Sequence, residues 1–301
     1  MSLLSTMRAT SLVVFAASTV LAQSNSPEAA THPGWVQVPG ALVRPDCVHQ
    51  VPNGAKVDDE VGNVTLNGVL VAHFDQCPEP PVITRHHLTH APDINGWIEA
   101  VQWQAPLKSG QNIEQVLGYW TVPQPPTDSS GLVYLFNGIE PTTGSVIQQP
   151  VLQYGNNGWF GGNYWVIASW WAGKSVWYSA PQSVLPGDNL KGVIDLDSTS
   201  GTTTTWTVFF LDVTSGANTT LATISKGLQW NWAYAGVLEA YNISSCSQLP
   251  DNWDKKTSFQ TTVVTPSGAT PGWFGYIYAT GSPSCGYSAS LSGSYQVLHY
   301  Y

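Results

Sequence analysis

Three glutamates stand in largely apolar sequence: Glu99 within Trp97 to Trp103, Glu140 at the end of Leu132 to Glu140, and Glu239 within Trp230 to Tyr241. A carboxyl group held away from water titrates above the usual carboxylate range, which suits it to take a proton from water and return it to a leaving group. Strict alternation along Trp230 to Tyr241 puts Trp230, Trp232, Tyr234 and Leu238 on one face and Ala233, Ala235, Val237, Glu239 and Tyr241 on the other. Glu239 then rises from small apolar neighbours as from a groove floor; the plainer alternative is an edge-strand carboxylate facing solvent. Convergence of Glu99, Glu140 and Glu239 on a concave sheet would instead give the acid and nucleophile of a glycosidase, with carboxyls about 5–9 Å apart.

Other chemistries find less support. His86-His87-Leu-Thr-His90 has two histidines at helical spacing, but it follows Pro80-Pro81, lacks the glutamate of a His-Glu-x-x-His site and has no third ligand nearby, so neither a metal nor a cofactor is expected. Gly281-Ser-Pro-Ser-Cys-Gly286 matches a serine nucleophile turn only in composition. Cys47, Cys77, Cys246 and Cys285 allow three disulfide pairings. Proximity favours Cys47–Cys77 and Cys246–Cys285, each worth about 3–4 kcal/mol, which leaves no thiol for catalysis.

The elements that position these groups read as strands. From Asn95 onward, eleven short runs have period two and are bounded by Gly, Pro, Asn or Ser: 97–103, 116–122, 131–136, 164–171, 175–178, 190–196, 205–213, 221–224, 232–241, 257–265 and 273–279. A helical reading competes only at 113–116 and 231–241, and Thr, Val, Trp and Tyr tip the second toward strand. The expected fold is all-β, an antiparallel sandwich of the concanavalin A-like or jelly-roll type. Upstream, 62–74 reads as a hairpin turning at Asn67-Gly68, and Cys77-Pro-Glu-Pro-Pro81 as a domain edge.

Residues 1–22, with Arg8 ahead of the apolar run 11–17 and Val20-Leu21-Ala22 before Gln23, have the layout of a secretory signal peptide, so a secreted, extracellular protein is expected. The sequons at Asn63, Asn218 and Asn242 are acceptors for glycosylation on that route. With 10 Lys plus Arg against 19 Asp plus Glu, and a net charge of -9, no basic surface is available for a phosphate backbone. No apolar segment is long enough to span a membrane. Nucleic acid and membrane are therefore not expected partners, and a monomer is expected.

Several blocks resemble the secreted fungal glutamic peptidases of the scytalidoglutamic, or eqolisin, type. Asn95-Gly-Trp-Ile-Glu-Ala100 is similar to the family's early Asn-Trp segment, and Gly118-Tyr-Trp-Thr-Val-Pro123 to its strand ending in Val-Pro. The run ending Phe136-Asn-Gly-Ile-Glu140 is similar to its Trp-Val-Gly-Ile-Asp block, Val146-Ile-Gln-Gln-Pro to its Ile-Leu-Gln-Thr-Gly block, and Tyr234-Ala-Gly-Val-Leu-Glu239 to its final glutamate segment. The resemblance implies a β-sandwich acid endopeptidase with Gln148 and Glu239 as the catalytic pair, Gln149 being the rival if the register is off by one. It also implies a polypeptide substrate lined by Phe136, Glu140, Trp165, Trp170 and Trp171. A more distant resemblance, to plant-type neprosin-like peptidases, implies a glutamate pair, with Glu140 or Glu99 as partner of Glu239.

By position, 23–90 is then a propeptide or a small accessory β domain, and 91–301 the catalytic sandwich. The alternative is a secreted carbohydrate-binding or glycoside-hydrolysing sandwich, in which exposed rings among Trp159, Trp165, Trp170, Trp171, Trp177, Trp230 and Trp232 stack on sugars.

Overall fold

The computed structural model describes residues 32–83, 94–279 and 283–300. The leader, and the histidines at 86, 87 and 90, lie outside the described residues. The N-terminal part supplies β1 (Val36–Val38), β2 (Ala41–Val43), β3 (Val48–Val51), β4 (Ala55–Asp58), β5 (Asn63–Leu66), β6 (Val69–His73) and β7 (Val82–Ile83). Longer strands follow: β8 (Ile94–Gln104), β9 (Gln115–Thr121), β10 (Leu132–Pro141), β11 (Ile147–Asn156), β12 (Gly161–Ala172), β13 (Val176–Ser179), β14 (Gln182–Val184), β15 (Asn189–Ser200), β16 (Thr203–Asp212), β17 (Asn218–Lys226) and β18 (Trp230–Ile243). Last come β19 (Lys256–Val264), β20 (Phe274–Ile277), β21 (Tyr287–Ser292) and β22 (Tyr295–Tyr300).

These strands build three sheets. A nine-stranded sheet runs β20-β8-β18-β10-β11-β12-β13-β3, with β14 beside β12, and a ten-stranded sheet runs β21-β22-β19-β9-β15-β16-β17-β4-β5-β6. All pairs are antiparallel except β13 with β3 and β17 with β4. The two large sheets pack as a sandwich, as the strand pattern predicts. Between them lie two apolar clusters, one around Trp120, Leu135, Trp165, Phe210, Leu238 and Phe259, the other around Ile139, Trp171, Trp177, Ile194, Trp206 and Trp230. The small sheet β1-β2-β7 covers the other face of the nine-stranded sheet, burying Val36, Val38, Ala41 and Val43 against Trp97, Tyr134, Phe136, Trp170 and Tyr178.

The nine-stranded sheet is thus a middle layer, buried on both faces, and the burial patterns differ accordingly. In β16 and β17 every second residue is buried, whereas β10 is buried throughout and β11 over all but its last residue. Each of the eleven expected runs falls on a strand, but β11 had no place in the strand pattern because Pro150 sits in it. A proline has no N–H to give a ladder and is rare in central strands. Here it pairs with Ser169, whose own N–H donates to Ser179 Oγ at 2.9 Å instead.

Both expected disulfides are formed, Cys47–Cys77 and Cys246–Cys285. The hairpin at Asn67-Gly68 is present as β5–β6, with φ of 51° and 78° at its two turn residues. The segment 32–83 contributes strands to all three sheets.

Asp59, just past β4, ties this segment to the β12–β13 turn. Its carboxylate accepts from Trp171 Nε1 (3.0 Å), Trp177 Nε1 (2.7 Å) and the backbone N–H groups of Lys174 (2.7 Å) and Ser175 (3.1 Å). Burial pushes its carboxyl up from the usual range, and the four donors pull it part of the way back. Each buried donor left without an acceptor costs about 1–3 kcal/mol. Asp59→Ala is expected to destabilise the fold by about 3 kcal/mol, read as a lower urea midpoint with unchanged slope.

Candidate active site

Glu239 lies on β18 directly across from Tyr134 of β10 on one side and Trp97 of β8 on the other. Three register shifts in the β18–β8 pairing, at Tyr234/Gly236, Leu238/Glu239 and Ala240/Ile243, break the simple alternation. Tyr234, Val237 and Tyr241 therefore share the covered outer face with Trp97 and Tyr134, while Ala235, Leu238 and Ala240 turn inward. This corrects the small-walled floor expected from strict period two: the walls around Glu239 are aromatic. Trp97 stands edge-on to Phe136, Tyr234 and Tyr278, with ring centroids 5.7, 5.0 and 5.6 Å away. Tyr241 Oη donates to Glu239 Oε1. Burial, and after it the charge of Glu239, raises the Tyr134 phenol well above its ordinary value.

The neighbouring glutamines on β11 point opposite ways. Gln148 faces the ten-stranded sheet, where its Oε1 accepts from Thr223 Oγ1 at 3.3 Å. Gln149 faces outward beneath the small sheet and donates from Nε2 to the carbonyl oxygen of Pro39 at 2.7 Å. Gln148 therefore lies on the face away from Glu239, contrary to the expected pairing, and Gln149 lies on the face of Glu239. One residue along a strand reverses the face, and in a strand buried on both sides no polar–apolar alternation marks which is which.

Gln149 and Glu239 meet through the N-terminal segment. The Gly40 N–H donates to Glu239 Oε2 at 2.8 Å and lies 3.1 Å from Oε1. The carbonyl of Pro39 and the N–H of Gly40 belong to one planar peptide group. That group is held by its oxygen in the Gln149 amide and by its nitrogen against the Glu239 carboxylate. Both side chains have zero solvent exposure. Nothing in the residue types of Pro39-Gly40 announces this role; only the folded register brings it to the site.

The other expected site residues divide between the faces. Phe136 and Trp170 belong to the cluster under the small sheet, on the side of Gln149 and Glu239. Glu140 is fully buried, sits opposite Trp232, and lies two residues beyond Gly138, the neighbour of Gln149 on that face. Trp165 and Trp171 point into the core between the large sheets and do not line this site. Glu99 is turned away as well: it lies close enough to Tyr287, on the ten-stranded sheet, for its charge to add to the burial that raises that phenol. Convergence of Glu99 with Glu239 is thus not what the fold provides. Trp165, Trp170, Trp171, Trp177 and Trp230 are all at most 1 % exposed, so these rings form core and offer no face to a sugar. Of the sequons, Asn218 is exposed, whereas Asn63 and Asn242 are half-buried.

No family model and no curated protein matches the chain. Among solved structures, scytalido-glutamic peptidase with a transition state analog inhibitor is 15 % identical and matches with a TM-score of 0.50 over 69 % of this chain and 98 % of that one. The same peptidase with a peptide-based transition state analog is 14 % identical, with a TM-score of 0.49 and the same coverage. SCP-B, a member of the eqolisin family of peptidases in complex with the tripeptide Ala-Ile-His, is 16 % identical with a TM-score of 0.46, again over 69 % and 98 %. The chain shares the fold of scytalido-glutamic peptidase.

Proposed function

We propose that this chain is a secreted endopeptidase in which Glu239 is the general base and Gln149 the oxyanion donor. The observation that carries the reading is the grip on one peptide group from both edges, carboxylate at nitrogen and amide at oxygen, in a site screened from solvent. Those are the two positions where a peptide bond needs help. Glu239 takes a proton from water as the water oxygen bonds to the carbonyl carbon. The Gln149 amide donates to the resulting oxyanion. Glu239 then passes the proton to the departing nitrogen as the carbon–nitrogen bond breaks. A glutamine side chain stays neutral in acid, so the donor remains in place across the acidic range. The two formed disulfides fit an exported protein.

The test is hydrolysis of an unfolded protein at pH 2–5, with pepstatin and a chelator present, by chains that also carry Gly40→Val, because a Cβ at position 40 would meet Ile147 Cγ2 at 2.8 Å and so dislodge the turn that covers both side chains. Gln149→Ala is expected to lower kcat by about 10²–10³-fold, the cost of one oxyanion donor. Gln148→Ala, which removes only a contact to Thr223, is expected to leave the catalytic constants within about threefold while lowering stability by about 1 kcal/mol. Equal losses from the two replacements, or none from either, would reject the assignment.

A further inference from the structure

We infer that Tyr241 is the positioning residue of the site: its phenol fixes Glu239 Oε1 and so makes Oε2 the oxygen that takes up and returns the proton. The inference rests on the peptidase reading above. Tyr241 stands two residues after Glu239 on β18, so the two side chains leave the strand on the same face. Its Oη donates to Oε1. Oε2 is the oxygen nearer the peptide nitrogen seated in the site, 2.8 Å from Gly40 N against 3.1 Å for Oε1. One carboxylate oxygen is thus turned to the scaffold, and the other to the peptide group whose carbonyl Gln149 holds.

The phenol is itself held. Tyr241 is 1 % exposed, and its ring stands edge-on to Tyr134 with centroids 6.1 Å apart. Just beyond it β18 breaks step: the pairing with β8 passes from Ala240 to Ile243, Asn242 takes φ 59°, and the Asn242 N–H donates to Asn95 Oδ1 at 2.9 Å. Asparagine is one of the few side chains that adopt this left-handed conformation readily. A donor fixed on one oxygen removes the freedom of the carboxylate to present either, which is orientation supplied before the reaction begins. In the cleavage, Oε2 takes a proton from water as the water oxygen bonds to the carbonyl carbon, and gives it to nitrogen as the carbon–nitrogen bond breaks; the phenol keeps its own proton throughout.

A hydrogen bond to the charged form also favours that form, against the burial that disfavours it. Among the described residues, the other ionisable groups on this face are the phenols of Tyr134, Tyr178, Tyr234 and Tyr278 and the carboxyl of Glu140. Burial raises the Tyr134 phenol well above its ordinary value and the Tyr178 phenol to about 12, so both stay neutral in acid.

The experiment compares Tyr241→Phe, which removes only the hydroxyl, with replacement of Tyr241 by difluorotyrosine, a stronger donor of nearly the same shape, each in the full chain carrying Gly40→Val. Two readouts are taken: the pH profile of kcat/KM for an unfolded protein, and the infrared titration of the Glu239 carboxyl, identified as the band lost in Glu239→Gln. In Tyr241→Phe the acid limb and the infrared midpoint are both expected to rise by about one to two pH units, the worth of a hydrogen bond to a charged group, with KM within about threefold. With difluorotyrosine both are expected to fall. A lower kcat with both midpoints unmoved gives Tyr241 a packing role only, which overturns the inference and leaves the peptidase reading standing. Midpoints that move while no chain hydrolyses the substrate overturn the peptidase reading, and the inference with it. If Tyr241→Phe does not fold, the difluorotyrosine chain decides alone: a falling midpoint supports the inference and an unmoved one overturns it.

Discussion

Glu239→Gln, made in the Gly40→Val chain and assayed on an unfolded protein in acid, should lose about 10²–10⁴-fold in kcat, the usual worth of a general base, with KM nearly unchanged. The replacement is isosteric and its amide oxygen can still accept a hydrogen bond from Tyr241 Oη or the backbone N–H of residue 40. Fold and substrate binding are therefore retained while proton transfer is lost. A variant that keeps more than about a tenth of the activity would show that another group moves the proton. A parallel loss of kcat in Gln149→Ala with a different pH profile would separate the two roles, because only the carboxylate titrates.

The second large effect concerns stability, through Glu99. Burial in the core between the large sheets raises this carboxyl from 4.5 to about 9, the Ser288 backbone N–H offsetting only part of the cost. Between these values the folded chain keeps the proton and the unfolded chain releases it, so the unfolded state binds fewer protons and stability falls as pH rises. The slope is about 1.4 kcal/mol per pH unit, or about 4 kcal/mol between pH 5 and pH 8. The sign is opposite to that of a salt-bridged carboxylate: the contribution is fully present below about 4.5 and lost as pH climbs toward 9. Glu99→Gln, which has no proton to give up, should flatten the urea midpoint across this range and make the variant the more stable chain at pH 8. An unchanged slope would place the pH dependence elsewhere. Acid then favours the folded state through a residue next to Glu239 in the β8–β18 ladder but on the opposite face of the sheet.

How far the residues themselves announce this arrangement depends on the layer they belong to. Strands of the ten-stranded sheet alternate buried and exposed residues, so β16 and β17 are readable as strands with known faces. The nine-stranded sheet is covered on both sides, and its strands read as near-continuous apolar runs in which direction is invisible. Gln148 and Gln149 cannot be told apart there, and Pro150 masks β11 altogether. Glu239 stands out because a lone carboxylate in Trp230–Tyr241 contradicts its surroundings, but bulges reassign Tyr234 and Ala235 between faces. The partner of the site, Pro39-Gly40, lies about 200 residues from Glu239 in the chain, a pairing that only long-range folding creates.

The parallel pairing of β3 with β13 and of β4 with β17 has a consequence for how the chain can be processed. Consecutive short strands, joined through Pro52-Asn53-Gly54, hem the borders of both great sheets, as a selvedge finishes cloth. Excising 32–83 wholesale would bare the rims of β13 and β17 at once, each a row of unsatisfied amides and carbonyls ready to recruit a strand from another molecule. A cut upstream of Val48 would keep those borders sewn; loss of the N-terminal piece, which takes a cut beyond Cys77 or reduction of Cys47–Cys77, would lay them open.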